Sequence, residues 1–336
     1  MRSSGKKSVY IFGAGASAAE GAPVMRDFLR TAYVFFGKEQ READLEIVWE
    51  FMEFFFGTRK KIKSARDMYS FPDIDEIFNI VDWYLLHNQS FSFRFPRSRL
   101  YELKTALVKL ISMTLDKILP EEKGVHRRFV SKIIENDGGT SVFISTNYDV
   151  FLDRAIIEAG YRVEYGFYGH HEVHVGAGGS VPLYKLHGSL NWSFCPLCGE
   201  ISAHENKVAH LLFDGDGALS CLNCGSGSSQ VMIVAPTLYK SYRISRLNNI
   251  WDCAAHAVSG ASRIVFIGYS LSPAETSVIA TIKRAVNCRE MEREIIAVNP
   301  CRAACERYRR IFGPGVRIIR TGFTGELYRE LSRATS

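Results

Sequence analysis

The sequence predicts an α/β protein with a Rossmann-like parallel sheet that is covered by helices on both faces. Three observations support this fold class: short β-type runs recur along the chain, helical segments separate most of them, and the first run ends in a glycine-rich turn. With 336 residues, the chain is long for one domain and short for three, which favours one large domain with insertions.

The β-type runs mark the expected strands. The first run leads directly into the glycine-rich turn, and a long helical pattern separates it from the second. We expect all of the runs to form one sheet, with the helical block inserted after the first βα unit. The predicted strands span residues 8–12, 141–145, 183–186, 231–234, 264–267, 294–298 and 316–319.

This arrangement of strands predicts the domain organisation. We expect a single domain over residues 1–336, whose sheet core comprises residues 8–23 and 137–335. A helical insert is predicted at 24–136, and a cysteine-rich module is predicted at 193–230. The aromatic residues concentrated between positions 49 and 56 are expected to form the core of the helical insert.

Composition and charge exclude several classes of protein. Hydrophobic residues make up 46% and charged residues 23%, as in ordinary soluble globular proteins. The net charge of +6 is scattered, and the short basic runs at 59–63 and 307–310 are interpreted as solvated helix faces, so direct nucleic-acid binding is not expected. No apolar run approaches the roughly 18 residues of a membrane span, which predicts a cytoplasmic protein whose eight cysteines are not a disulfide framework.

Four of the cysteines have the spacing of a metal site. Cys195 and Cys198 form one CxxC pair, and Cys221 and Cys224 form a second pair after 22 intervening residues. Each pair would place two sulfurs on one tight turn, and four thiolates suit tetrahedral zinc. Because protein ligands would fill all four positions, the zinc is expected to be structural. The alternative is a pair of redox dithiols or simply buried cysteines.

The glycine-rich turn after the first strand is a candidate phosphate loop. Its sequence is Gly13-Ala14-Gly15-Ala16-Ser17, in which small residues would let backbone amides approach a pyrophosphate near a helix N-terminus. The turn lacks the third glycine of the GxGxxG pattern. Glycines also occur in tight strand–helix turns for purely steric reasons, so nucleotide binding stays one of two interpretations.

Polar side chains follow two further predicted strands. Asn147 and Asp149 come after the second strand, and His187 comes after the third. Polar groups at these positions face the crevice at the carboxyl edge of a parallel sheet, where ligands bind. The alternatives are that Asn147 or Asp149 caps a helix and that His187 is a structural histidine.

The motifs occur in a fixed order: GAGAS, STNYD, KLHGS, the two CxxC pairs, IGYSL and VNP. This series resembles the sirtuin family, in which a glycine loop, an Asn- and Asp-bearing motif, a His-Gly motif, a zinc ribbon, an adenosine loop and a ribose loop follow one another. The resemblance extends from residue 8 to about residue 299, outside the helical insert. Each motif is short, and their joint order carries the resemblance.

The resemblance implies that NAD is the substrate and assigns roles to the motif residues. Asn147 would hold the nicotinamide ribose and an attacking water, Asp149 would contact the carboxamide, and His187 would be the general base. The rest of NAD would be bound by Ala14, Gly15, Ser17 and Thr146 on the phosphate and ribose side, and by Gly268, Ser270 and Asn299 on the adenosine side. For Gly268 and Asn299, the alternative is a turn that ends a strand.

Two departures from the family pattern concern the acceptor of the reaction. Protein-deacylating sirtuins follow the glycine loop with Gly-Ile-Pro-Asp-Phe-Arg, whereas residues 21–26 of this chain read GAPVMR. They also carry a Pro-x-Val-x-Phe-Gly-Glu stretch beside the acyl-lysine channel, whereas residues 235–240 read APTLYK. Both departures weaken the expected peptide site and leave the NAD motifs intact.

The chain is most similar in pattern to divergent sirtuin-like proteins of prokaryotic antiphage defence, which are NAD glycohydrolases. In that group the helical block often mediates self-assembly, so a homo-oligomer is expected. The last predicted helix lies near Leu331, which leaves no room for a C-terminal sensor domain in this sequence. We therefore expect the trigger to come from oligomerisation or from a separate sensor protein, such as an ATPase.

Three functions are compatible with the sequence. The first is a NAD⁺ glycohydrolase that releases nicotinamide and ADP-ribose. The second is a NAD-dependent protein-lysine deacylase, against which the two departures argue. The third is a non-catalytic subunit that binds NAD or ADP-ribose during assembly, and the presence of both Asn147 and His187 argues against it.

Overall fold

The structure is a computed structural model, and it describes residues 7–37, 43–58, 71–118, 123–167, 178–205, 208, 219–236 and 245–332. The basic run at 59–63 and positions 237–240 of the predicted peptide-site segment lie outside the described residues. The chain divides into two compact units. The first contains Met1–Ala22, Glu121–Ile233 and Tyr242–Ser336, and the second contains Pro23–Pro120 and Val234–Ser241.

A parallel sheet forms the centre of the first unit. Among the described residues it has seven strands: β1 (Ser8–Phe12), β2 (Val142–Ser145), β3 (Arg162–Glu164), β4 (Ser180–Lys185), β8 (Arg263–Ile267), β9 (Glu294–Val298) and β10 (Arg317–Ile319). Their order in the sheet is β10-β9-β8-β1-β2-β4-β3, and every neighbouring pair is parallel. This sheet confirms the predicted Rossmann-like fold class.

Apolar side chains on both faces of the central strands explain why the sheet is covered on both sides. Val9, Tyr10, Ile11 and Phe12 are all buried, which is the pattern of a strand between two helical layers. Tyr10 and Phe12 both contact the Phe129 ring edge-on, at centroid distances of 5.7 and 6.1 Å. The continuous apolar run of β1 therefore places this strand in the middle of the sheet.

The prediction that residues 231–234 join the main sheet is wrong. Residues 231–233 lie in β7 (Gln230–Ile233), which pairs antiparallel with β5 (Gly188–Phe194). A short strand, β6 (Ile201–Ala203), completes a second sheet of order β6-β5-β7. An apolar run predicts a strand but not its partner, and β5 was missed because polar residues interrupt its apolar pattern.

Helices surround the main sheet within the first unit. All but the last residue of α6 (Val125–Asp137) falls in the range 24–136 predicted for the helical insert, yet this helix belongs to the unit that holds the sheet. The predicted domain boundaries themselves stay a prediction. The helices of this unit are α1 (Ala14–Ser17), α6 (Val125–Asp137), α7 (Phe151–Glu158), α8 (Ser245–Ser259), α9 (Thr276–Asn287), α10 (Arg302–Phe312) and α11 (Leu327–Ser332).

Glu20 fixes the beginning of α6. Its carboxylate accepts hydrogen bonds from the backbone amides of Lys123 and His126, at 2.6 and 2.7 Å, and lies 3.0 Å from Nδ1 of His126. Burial alone would raise the pKa of Glu20, but the side-chain and backbone hydrogen bonds from His126 outweigh it and lower the pKa to about 2. A buried carboxylate thus caps α6 from the 3₁₀ turn that follows α1.

The second unit is helical in its described part. Trp49, Phe51 and Met52 are buried, as predicted for its core, but Phe54 and Phe55 are 41% and 40% exposed. None of the helices that the structure describes has the length and apolar character needed to cross a membrane. The helices of this unit are α2 (Met25–Phe36), α3 (Glu46–Phe56), α4 (Ile74–Leu86) and α5 (Arg97–Ile118).

Candidate active site

The motif residues meet at one edge of the main sheet. They follow β1, β2, β4, β8 and β9, which are neighbours in the strand order. Since all five strands are parallel, their carboxyl ends lie along the same edge, where α/β proteins bind ligands. The residues that were predicted to line a ligand crevice therefore follow strands that are neighbours in the sheet.

Ser17, Asn147 and Asp149 form one hydrogen-bonded cluster. Ser17 Oγ accepts from Asn147 Nδ2 at 2.7 Å and donates to Asp149 Oδ2 at 2.5 Å, and Asn147 Nδ2 also donates to the carbonyl of Gly13 at 3.0 Å. Asp149 Oδ1 accepts from the amide of Phe151, the first residue of α7, at 3.2 Å, so Asp149 both bonds to the start of this helix and joins the cluster. The glycine loop and the Asn-Asp motif are thus one structural feature.

Close packing explains the glycines of the two loops. The Gly15 amide donates to the carbonyl of Gly268 at 2.9 Å, and a Cβ on Gly15 would lie 2.7 Å from that oxygen. Gly268 has φ of +61°, and a Cβ there would lie 2.2 Å from the amide nitrogen of Ala16. The amide of Gly15 is already hydrogen-bonded within the protein, so it is not a free donor for a phosphate. Gly15 is therefore explained by the lack of space for a side chain in this tight turn.

His187 lies in a defined orientation beside this cluster. Its Nδ1 is 3.1 Å from the backbone carbonyl of Thr146, which can only accept a hydrogen bond, so Nδ1 carries a proton. Its Nε2 lies 3.4 Å from Oε2 of Glu275. The side chain of His187 is 4% exposed and that of Glu275 is 17% exposed. The Nε2 edge of the imidazole therefore faces a carboxylate.

Glu275 was not among the site residues predicted from the sequence. It ends the 3₁₀ turn Pro273–Glu275, which follows the loop after β8 and precedes α9. Ser272 caps this turn, since its Oγ accepts from the Ala274 amide at 3.4 Å. An acidic residue a few positions beyond a strand-ending glycine is the available signal, but the sequence does not indicate that it reaches a histidine after another strand.

Asn299 and Thr146 make structural contacts within the loops. Asn299 Nδ2 donates to the carbonyl of Tyr269 at 3.1 Å, and its Oδ1 accepts from the Cys301 amide at 2.9 Å. The Thr146 amide donates to the carbonyl of Phe12 at 3.1 Å. Both residues hold neighbouring strand ends together. The side-chain contacts of Asn299 are therefore those of a turn that ends a strand, which was the alternative to an adenosine-binding role.

Ala14 and Ser270 occupy more accessible positions. Ala14 begins the short helix α1 and is half-buried, and Ser270 is exposed in the loop after β8. The carbonyl of Ser270 accepts from Arg307 Nε at 2.9 Å. The structure thus brings Ser17, Asn147 and Asp149 into direct contact, whereas Ala14 and Ser270 lie at the same sheet edge without a described contact to that cluster.

The four predicted metal ligands lie together at the end of β5. Their sulfurs are all within 4.8 Å of one another, with 3.7 Å between Cys195 and Cys224 and 3.6 Å between Cys198 and Cys221. A tetrahedron with Zn–S bonds of about 2.3 Å has sulfurs about 3.8 Å apart. The cluster therefore fits a zinc ion.

The two CxxC turns have the same backbone geometry. Gly199 donates its amide to the carbonyl of Cys195 and Gly225 donates to that of Cys221, each at 2.9 Å. Both glycines have positive φ, of 73° and 72°. A hydrogen bond from the Asn223 side chain is the main cause that lowers the pKa of Cys198 to about 6. Paired turns of this kind present four sulfurs to one point.

Comparison with known proteins places the chain among sirtuin-like domains. Residues 141–311, about half of the chain, match the family model of the SIR2-like domain. No curated protein matches the chain. A solved complex of a Sir2 homologue with NAD is similar at 18% identity and a TM-score of 0.45, covering 98% of this chain and 89% of that one. Sir2Tm bound to a propionylated peptide is similar at 14% identity and a TM-score of 0.43, covering 97% and 92%.

Proposed function

The chain belongs to the SIR2-like family, and on this premise we propose that it hydrolyses NAD⁺ to nicotinamide and ADP-ribose. The observation that carries the proposal is the orientation of His187, whose Nδ1 faces the Thr146 carbonyl and whose Nε2 faces Glu275 at the same sheet edge as Asn147. An imidazole held in one tautomer, beside an oriented amide, suits proton transfer from water.

Hydrolysis breaks the bond between nicotinamide and ribose C1′ and forms a bond from C1′ to a water oxygen. The reaction consumes one water and releases nicotinamide, ADP-ribose and one proton. The transition state resembles an oxocarbenium ion, so the water needs orientation more than a strong base. We assign this orientation to Asn147, which Ser17 and the Gly13 carbonyl hold by hydrogen bonds of 2.7 and 3.0 Å.

His187 is the proposed general base, and Glu275 is its proposed partner. When Nε2 takes the proton of the attacking water, the imidazolium that forms lies beside the Glu275 carboxylate, 3.4 Å away. An adjacent carboxylate stabilises an imidazolium, and general base catalysis contributes about 10²–10⁴-fold to a rate. The Asp149 carboxylate, held by Ser17 and Phe151, is assigned to the nicotinamide carboxamide.

The remaining motif residues are proposed to bind the rest of NAD. Ser17 and Ala14 would contact the phosphate and ribose side, together with Thr146, whereas Gly15 would contribute the shape of the loop rather than its amide. The adenosine side is assigned to Gly268, Ser270 and Asn299. Asn299 would also hold the loop that contains Tyr269. These assignments follow the order of the motifs along the sheet edge.

We propose that the four-cysteine cluster binds one structural zinc ion. The support is the sulfur geometry, the paired turns and the absence of a disulfide among these cysteines in the described part of the chain. Native mass spectrometry of the wild type should give one zinc per chain, and the variant with Cys198→Ser and Cys224→Ser should give none. A zinc-free wild type that is folded and active would contradict this assignment.

Product analysis distinguishes the three candidate functions. Purified protein is incubated with NAD⁺ alone, and the products are separated by chromatography. Nicotinamide and ADP-ribose are the expected products. Product formed only after an acetylated peptide is added, with transfer of the acetyl group, would instead indicate a deacylase. Binding of NAD without turnover at every protein concentration would indicate a non-catalytic subunit.

We further propose that the enzyme is a cytoplasmic NAD-depleting effector of antiphage defence that works as a homo-oligomer with a separate sensor or ATPase partner. The second unit exposes apolar side chains suited to self-association, including Leu86 at 59% and Phe93 at 105% exposure. Phage infection of cells that express the chain, with its genomic neighbours, should lower cellular NAD. Unchanged NAD and unchanged phage growth would remove this role without affecting the enzymatic proposal.

A further inference from the structure

A closed ring of hydrogen bonds lies within the first unit, next to the segment that carries Asn147 and Asp149. Lys185 donates to both of its neighbours in the ring, and Asp153 accepts from both of its neighbours. Lys185 Nζ donates to Ser189 Oγ at 2.5 Å, and Ser189 Oγ donates to Asn191 Oδ1 at 2.6 Å. Asn191 Nδ2 donates to Tyr165 Oη at 3.2 Å, and Tyr165 Oη donates to Asp153 Oδ1 at 2.5 Å. The ring closes where Lys185 Nζ donates to Asp153 Oδ2 at 3.0 Å.

The ring is buried and its charges are balanced. Each of its five side chains is at most 4% exposed, and the ring contains one ammonium and one carboxylate. Burial is the main cause that raises the pKa of Tyr165 well above its ordinary value, so its hydroxyl keeps the proton that it donates to Asp153. A buried network of this kind is rigid because every member has its partners.

One bond of Lys185 leaves the ring and reaches the motif segment. Lys185 Nζ donates to the backbone carbonyl of Asp149 at 2.5 Å, in addition to its bonds with Asp153 and Ser189. Its three ammonium hydrogens thus have three acceptors. The amide of Leu190 donates to the carbonyl of Tyr148 at 2.9 Å, which gives the same segment a second attachment.

We propose that Lys185 is a positioning residue, which fixes the backbone at Asp149 and thereby the orientation of Asn147 and Asp149 toward NAD. This inference rests on the proposed hydrolase function. A buried ion pair can often be replaced by apolar residues of similar volume without loss of stability. An apolar side chain at position 185 fills the space but supplies no donor to the Asp149 carbonyl, so stability and positioning can be separated by mutation.

The test compares three variants. Lys185→Met removes the donor but leaves the Asp153 carboxylate buried without its cation. The double variant of Lys185→Met with Asp153→Asn removes both charges and restores the thermal stability. Tyr165→Phe breaks one ring bond and keeps Lys185 in place. In the first two variants, kcat for NAD should fall about 10- to 100-fold, and KM should change less than about threefold. In Tyr165→Phe, kcat should fall less than about threefold.

Hydrogen exchange tests the inference without requiring turnover. The amide of Phe151, which donates to Asp149 Oδ1, should exchange about tenfold faster in the double variant than in wild type, and at the wild-type rate in Tyr165→Phe. Wild-type exchange at Phe151 in the double variant would overturn the positioning role, whether or not the wild type hydrolyses NAD. Restoration of kcat together with stability in the double variant would also overturn it, since Lys185 would then be structural only.

Discussion

The two halves of the candidate site use their polar residues differently. At the ends of β1 and β2, polar side chains bond to one another, as Ser17 does with Asn147 and Asp149, and at the end of β4 the Thr146 carbonyl fixes the orientation of His187. At the ends of β8 and β9, the predicted residues bond to backbone or pack against it, as Asn299 does with Tyr269 and Gly268 with Gly15. The first half therefore orients chemical groups, whereas the second half sets the shape of two loops.

The difference shows that similar motif positions at one sheet edge carry different constraints. An oriented side chain such as Asn147 can be changed at small cost to the fold, because its contacts are few and half-buried. A glycine with positive φ that packs against neighbouring backbone leaves no space for a side chain, so its substitution should destabilise the fold. Substitutions should therefore reduce activity in the first half and stability in the second.

The largest expected effect is that of Gly268→Ala. The new Cβ would lie 2.2 Å from the Ala16 nitrogen, at φ of +61°, so we expect a loss of more than about 3 kcal/mol in the free energy of unfolding. Gly315→Ala is the control, since Gly315 has open space and no positive φ. Thermal unfolding measures both. Equal stability of the two variants would contradict the shape role of the second half.

A pair of asparagine substitutions compares the halves directly. Asn147→Ala should lower kcat about 100-fold with little change in stability, because it removes the proposed orientation of water. Asn299→Ala should lower the free energy of unfolding by about 1–3 kcal/mol and raise KM, because it removes two hydrogen bonds between the loops: the Nδ2 donor to the Tyr269 carbonyl, which keeps its bond from Tyr308 Oη, and the Oδ1 acceptor of the Cys301 amide. Steady-state kinetics and denaturant unfolding are measured on both. An equal loss of kcat in Asn147→Ala and Asn299→Ala would contradict the proposed difference between the two halves of the site.

A smaller effect is expected from Glu275→Gln. The amide keeps the volume but removes the negative charge that faces His187 Nε2 at 3.4 Å, so kcat should fall about tenfold while KM and stability change little. Glu290→Gln, at an exposed position, is the matched control. Unchanged kcat in Glu275→Gln would show that this carboxylate, which follows β8, does not act on His187 in the first half of the site.

The sequence was sufficient to predict the parallel sheet and the cysteine cluster, because both depend on local signals. The apolar run of β1 and the CxxC spacing each predict their structure from a few consecutive residues. The pairing of β7 with β5 and the approach of Glu275 to His187 depend on partners distant in the chain. Single-sequence patterns do not encode such pairings.

The hydrogen-bonded ring that contains Lys185 could not be predicted from the sequence for a related reason. Lys185 was visible in the KLHGS motif, but its role depends on Asp153 and Tyr165, whose side chains read as ordinary helix and loop positions. A buried lysine cannot be distinguished from an exposed one by residue type, and lysine is usually exposed. Its burial follows from the register of β4 against β2, which pairs Lys185 with Ser145.

The most direct test of the account is nicotinamide release from NAD⁺ by wild type, His187→Ala and the exposed control His256→Ala, with folding checked by thermal unfolding. We expect nicotinamide and ADP-ribose from wild type and from His256→Ala, and a rate at least about 100-fold lower from folded His187→Ala. Equal rates from wild type and folded His187→Ala would contradict the assignment of His187 as the general base, and with it the proposed site.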